Sequence, residues 1–407
     1  MTKKDPVSVY CAIITPMRDL IAMVLAGGRT DALGVLTERR PQSALPFGGM
    51  FRVIDFVLTN LAESGVEKVG ILSQYKPLSL MDHVGIGRPW DYNGRTRELS
   101  FLPPYQGSKE IDWYKGTADA VYQNLHFIER HRPKDVLVLS GDHVYRMDYR
   151  PLIAMHREKK ADLTMVFKPI EVSSPCRFGI GVVGKNGRVL RYFEKPEVPE
   201  SNLVSLTIYC FRREVLEEQV KENARTGKTF HIYDEIIPQL VQHGKVYGFI
   251  FRRGWEYLRP VSAFYDAHMR LLRVRGEKVS MERVRTNLEE EGLAEAPPVY
   301  FASGGVATRS LVAPGSMIFG GVRRSVVFPY VRVEEDAFVA ESVVFHRCHI
   351  ARGARVRRAI LDKGCFIGEG AVLDGGDGLI VLGKGVKVMD GAVLKGTMEI
   401  LPDRVVG

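Results

Sequence analysis

Residues 23–55 read MVLAGGRTDALGVLTERRPQSALPFGGMFRVID. An apolar run from Ile21 to Leu25 meets a tight Gly27-Gly28-Arg29 turn, and a polar loop then leads through Pro46-Phe47-Gly48-Gly49 into a second apolar stretch. The first run reads as a buried strand. The second carries apolar residues at three- and four-residue spacing and predicts a helix over 51–64. Glycine lets the backbone approach a ligand that a Cβ would exclude. Successive free N–H groups after a strand form an anion cradle suited to phosphate oxygens.

The same alternation continues outward from this stretch. Val69–Leu72, Val136–Ser140, Asp162–Val166 and Gly181–Val183 read as strands, and Ala118–His131 and Tyr149–Lys159 as helices. Strand–helix alternation predicts an α/β domain with a mainly parallel, Rossmann-like sheet. Ligands of such sheets lie beyond the carboxyl ends of the strands, where both the glycine turn and Gly141-Asp142 fall. After Pro297 the pattern changes. Val333, Val339, Phe345, Ile350, Val356, Leu361 and Ile367 recur every five or six positions, and small residues or Val follow most of them at four. This hexapeptide period predicts a left-handed parallel β-helix. The boundaries that follow are an N-terminal extension at 1–20, an α/β domain at 21–273, a charged linker at 274–298 and a β-helix at 299–407.

At 407 residues the chain is too long for one core and fits two domains. Its 45% hydrophobic and 26% charged content is ordinary for a globular protein. The net charge of +9 suits phosphorylated metabolites, and no aromatic–basic interleaving points to nucleic acid. Five scattered cysteines show no metal-ligand spacing. With no apolar run of membrane-spanning length, the reading is a cytoplasmic protein without a membrane partner.

Four short elements resemble the sugar-1-phosphate nucleotidyltransferases, and ADP-glucose pyrophosphorylases (glucose-1-phosphate adenylyltransferases) in particular. They are the glycine turn, Trp113-Tyr114-Lys115-Gly116-Thr117-Ala118-Asp119-Ala120, the Val136–Tyr145 run VLVLSGDHVY, and Phe193-Glu194-Lys195-Pro196. The resemblance implies that ATP and glucose 1-phosphate are converted to ADP-glucose and pyrophosphate for glycogen synthesis. It implies nucleotide contacts from Leu25, Gly27, Gly28, Gln74, Gly116 and Thr117. Sugar-phosphate contacts would come from Tyr114, Glu194, Lys195 and Ser205. Asp142 would hold Mg2+, with Asp142 and Lys195 as the catalytic pair. Thr117 is also placed to cap the following helix. The family further implies an oligomer, homo- or heterotetrameric, with an anionic effector between the domains; Arg39, Arg40 and Arg52 are the candidates to hold it.

Three departures run against full activity. Ala32 stands where the family has the arginine that grips the triphosphate, and Gln42 where it has a lysine. Tyr257, in Trp255-Glu256-Tyr257-Leu258-Arg259-Pro260, stands where it has the second metal-binding aspartate. Neighbouring Glu256 belongs to the opposite face of that strand. The alternative expectation is therefore a catalytically silent subunit that binds sugar phosphate or nucleotide and modulates a partner.

Overall fold

The structure, a computed structural model, describes residues 17–28, 30–104, 113–171, 177–290 and 292–407. Arg29 of the glycine turn, Cys11 and Cys176 lie outside them.

The first apolar run forms the strand Met17–Leu25, beginning earlier than the 21 boundary expected. It lies at the centre of the sheet, pairing in parallel with Val66–Leu72 on one side and Asp135–Ser140 on the other. Glu98–Leu102 extends the parallel part. Beyond Asp135–Ser140 the sheet turns antiparallel through Leu203–Arg212, which bonds both Leu163–Pro169 and Gly179–Val183. The sheet is thus mixed, with a parallel centre. The central strand is buried on both faces, which is why it reads as a continuous apolar run rather than an alternating one.

Val53–Glu63 forms the predicted helix behind the glycine turn. The helix expected over 118–131 is two, Thr117–Gln123 and Leu125–His131, broken at Asn124. The Asn124 amide donates to the Ala120 carbonyl at 2.9 Å and to the Tyr114 hydroxyl at 2.9 Å. Such side-chain-to-backbone bonding competes with continuation of a helix. No helix among the described residues is long and apolar enough to cross a membrane.

From residue 300 the chain winds through three all-parallel sheets of seven, six and six short strands, each pairing with the strand one coil later. This is the left-handed hexapeptide β-helix. Its inward positions, among them Val333, Val339, Ile350, Val356, Leu361 and Ile367, form one buried column.

A further core belongs to both domains. Leu33, Leu36, Phe47, Phe56 and Phe264 pack with Phe328, Val343, Phe345, Ile360 and Val381 of the β-helix. The linker is held as firmly. Arg285 N and Thr59 Oγ1 are 3.0 Å apart, and Glu290 accepts from Arg52 at 2.5 Å. Buried His83 lies between Asp55 Oδ1 at 2.6 Å and Glu290 Oε2 at 2.7 Å. Burial alone would depress the His83 pKa, but the charge and hydrogen bond of Asp55 and the hydrogen bond of Glu290 outweigh it and raise the value. A raised histidine stabilises most below its unfolded pKa of about 6.5 and loses that contribution as pH climbs through the folded value. The thermal midpoint is therefore expected to fall from neutral to alkaline pH, and His83→Gln to flatten that dependence. An unchanged slope in the variant would assign it to other groups.

Candidate active site

The carboxyl ends of the parallel strands open into a cavity of about 420 Å³. Leu25, Gly27, Gly28, Gln74, Tyr114, Gly116, Thr117, Asp142, Glu194, Lys195 and Ser205 all line it, so residues spread over 181 positions of sequence converge on one space.

The two turn glycines do different work. A Cβ on Gly27 would come within 2.4 Å of the Gln74 backbone nitrogen, whereas one on Gly28 would meet nothing within 4 Å. Gly27 thus lets two strand ends pack against each other, and Gly28 keeps the cavity floor open. Gly116 resembles Gly27: its Cβ would fall 2.2 Å from the Phe230 carbonyl oxygen. That carbonyl accepts from the N–H of Ala118 at 2.8 Å. The first turn of the Thr117–Gln123 helix is therefore satisfied by protein. Thr117 does not cap this helix; it is the first helical residue, and its Oγ1 accepts from the Ile232 N–H at 2.9 Å.

The Tyr114 ring lines the cavity, but its hydroxyl donates to the Leu102 carbonyl at 2.7 Å and accepts from Asn124. That hydroxyl is anchored to protein on both its donor and its acceptor side. Gln74 holds the Tyr114 N–H at 2.7 Å.

Also lining the cavity, the Lys195 ammonium is 3.5 Å from Glu194 and 5.5 Å from the centre of the Tyr233 ring, which stacks on His231. Lys195 remains more than half exposed and open to an incoming phosphate. Burial raises the Glu194 pKa, partly offset by the Tyr192 hydroxyl and Lys195.

Near Ser205 the strand Leu203–Arg212 slips register against its neighbour between Ser205 and Tyr209. Thr207 sits in the slip at φ +53°, a left-handed conformation disfavoured for a β-branched residue. Thr207→Gly is expected to raise stability by about 1 kcal/mol, since relief of about 1–3 kcal/mol exceeds the unfolded-state entropy glycine adds. Thermal denaturation checks it; a lower midpoint would show that the Thr207 side-chain contacts outweigh the strain.

Asp142 follows the strand Asp135–Ser140, as expected, and is buried. Its carboxylate accepts from Arg259 Nη2 at 2.8 Å. Burial pushes the Asp142 pKa up, and the Arg259 charge offsets this only in part. Arg259 Nε donates to Gln42 Oε1 at 2.5 Å, and Gln42 donates to the Asp142 carbonyl at 3.1 Å. The antiparallel pair Trp255–Tyr257 with His143–Tyr145 sets Tyr257 opposite His143. Burial and the nearby Arg259 charge take the His143 pKa down to about 3, so this imidazole is neutral. Glu256 points away, as alternation requires, and pairs with Arg270 at 2.5 Å.

The residues present do not suit a divalent metal. Mg2+ needs several oxygen ligands; Asp142 is engaged by a guanidinium, Tyr257 brings no carboxylate, and no group of three or more His, Cys, Asp or Glu residues among those described is arranged for a metal. Asp142, expected from the resemblance to hold the metal, lines the cavity and is paired with Arg259. Arg259 was missed altogether. Its signal lay in the run Trp255-Glu256-Tyr257-Leu258-Arg259-Pro260, where a cation stands two residues beyond Tyr257.

The three arginines expected to hold an effector do meet the β-helix or linker, but each meets a carboxylate. Arg39 pairs with Asp403, buried Arg40 with Asp362 at 2.5 Å, and Arg52 with Glu290. Each arginine is thus occupied by a different carboxylate of the chain.

Residues 21–274 match the Nucleotidyl transferase family model, and 299–377 the model described as GlmU-like, C-terminal hexapeptide. Curated relatives include the glucose-1-phosphate adenylyltransferase of a Thermotoga strain, 41% identical over 79% of this chain and 77% of its own. That of Bacillus mycoides is 37% identical over 87% and 94%. That of Desulforamulus reducens is 35% identical over 86% and 90%. Nucleotidyltransferases of this kind generally use a divalent metal, and here Asp142 is paired with Arg259 instead. With cavity, sheet topology, β-helix and sequence likeness all agreeing, the chain belongs to the glucose-1-phosphate adenylyltransferase family of nucleotidyltransferases.

Proposed function

We propose that this chain binds a nucleotide and glucose 1-phosphate in the cavity, as the relatives' name indicates, and joins them only slowly. The observation that carries this reading is the asymmetry of the cavity. Lys195 is more than half exposed among the lining residues, while Asp142, in the same cavity, is closed by Arg259. The family reaction is an in-line attack of the sugar phosphate on the α-phosphorus of ATP, in which positioning and charge stabilisation supply nearly all the catalysis. Losing one oriented charge contact typically costs about 2.7–4 kcal/mol of transition-state stabilisation. Ala32, Gln42 and Tyr257 together represent three such losses, though they do not simply add. Magnesium, the ion implied by the resemblance, has no part in this reading.

The test is calorimetry with glucose 1-phosphate beside a pyrophosphate-release assay with ATP, alone and with any co-purifying homologue. Binding with turnover well under the ordinary range of roughly 1–10³ per second is the expected result. Turnover within that range for the chain alone would overturn it. Stimulation only on adding the homologue would mark this chain as a modulating subunit. The effector reading is retained for one place, a cleft of about 470 Å³ between the domains where Arg39 lies with Lys76 and Arg404. Sulfate or a sugar bisphosphate is its probe.

A further inference from the structure

The pairing of Trp255–Tyr257 with His143–Tyr145 returns the chain over the strand end, and Arg259, two residues beyond Tyr257, lands on Asp142. Its guanidinium is fixed along two edges. Nε is held by Gln42, itself 1% exposed, and Nη2 by the Asp142 carboxylate. Gln42 closes the triangle through the Asp142 carbonyl. A guanidinium carries five N–H donors and a permanent charge in a rigid plane. Among the described residues Nη1 has no acceptor, and the Arg259 side chain remains about a third exposed on the cavity wall. A fixed positive charge with spare donors therefore borders the cavity that Lys195 also lines.

This is the charge and the place that a divalent ion would need. An ion approaching Asp142 would meet Arg259 at short range and find Tyr257 where a second carboxylate is required. Gln42 has nothing ionic to contribute. Every partner of Arg259 here is a departure from the family pattern or the family's own aspartate, so the substitutions form one unit.

We propose that the Arg259 guanidinium replaces the divalent metal of this pocket: it receives the phosphates of a nucleotide directly, and Asp142 is a positioning residue that holds it. This rests on the reading that the cavity takes a nucleotide, but the first arm of its test does not. In that arm Mn2+ is titrated against the protein alone and followed by electron paramagnetic resonance. The wild-type chain is expected to leave the free-ion signal undiminished, and the Tyr257→Asp/Arg259→Gly double variant to bind one ion. A tight Mn2+ site in the wild type that disappears in Asp142→Asn would overturn the proposal, whatever the variants do.

In the second arm ATP is titrated by calorimetry in EDTA and in excess Mg2+. Metal-free ATP is expected to bind at least as tightly as its magnesium complex. Arg259→Gly should weaken metal-free binding by about tenfold or more, the size of a charge-assisted hydrogen bond, with Arg259→Lys recovering part of it. Tenfold tighter binding on adding Mg2+ to the wild type would overturn the proposal. Absence of ATP binding in both buffers would remove the nucleotide reading and with it Arg259's role as phosphate receiver. The Mn2+ arm would still show whether Arg259 displaces a metal.

Discussion

The combined variant Ala32→Arg, Gln42→Lys, Tyr257→Asp and Arg259→Gly is expected to release pyrophosphate at least about a hundredfold faster than the wild-type chain. One restored transition-state contact is worth about 10²–10³ in rate. The fourth change is indispensable for a structural reason. Gln42 is buried against Arg259 Nε, so a lysine placed there beside the native arginine would set two cations against each other in a low-dielectric wall. An aspartate at 257 would likewise meet a site already occupied by the guanidinium. The triple variant that keeps Arg259 is therefore expected to gain little, and the quadruple variant to gain in Mg2+ but not in EDTA. Adding Asp142→Ala to the quadruple variant should abolish the gain. A triple variant as fast as the quadruple one would show that Arg259 leaves the metal position free.

The largest stability effect is expected at Arg40. Its guanidinium and the Asp362 carboxylate are both nearly sealed from solvent, at 5% and 3% side-chain exposure. Arg40 also lies 5.9 Å over the Phe345 ring, and its Nε has no partner among the described residues. Arg40→Met leaves an unpaired buried carboxylate, and breaking such a pair costs about 3–5 kcal/mol. Removing both charges, as in Arg40→Met/Asp362→Leu, should restore most of that loss, because the desolvation penalty goes with them. Chemical denaturation of the three variants checks the cycle. Equal losses in the single and double variants would show that packing rather than the ion pair holds the junction.

Local pattern was enough to read the parallel centre of the sheet and the β-helix, while the residues that line the cavity were named from the family resemblance. Ile21–Leu25 is apolar because it is covered on both faces, and the six-residue period of the β-helix repeats the geometry of each coil. What local pattern could not supply were partners distant in sequence. Arg259 reaches Asp142 across 117 positions, and nothing near either residue announces the other. The basic run at Arg39-Arg40 suggested an anion, and that inference was sound so far as charge goes. The anions turned out to be Asp403 and Asp362, more than three hundred residues later. Thr117 went astray in the same way: its hydroxyl was expected at a helix end, and the fold had the Ile232 N–H for it instead.

The core shared by the two domains fixes how the molecule can be taken apart. Phe328, Phe345 and Ile360 complete the packing of Leu33, Phe47 and Phe56, and Glu399 of the β-helix accepts from the Val35 N–H at 3.1 Å. Cutting the chain in its charged linker would therefore strip the nucleotide loop of its backing and expose an aromatic face, giving an insoluble half. For anyone building chimaeras with a relative, an exchanged β-helix must keep the faces against which Leu33, Phe47 and Phe56 pack. The charged linker, where the composition changes, is not the seam of the protein.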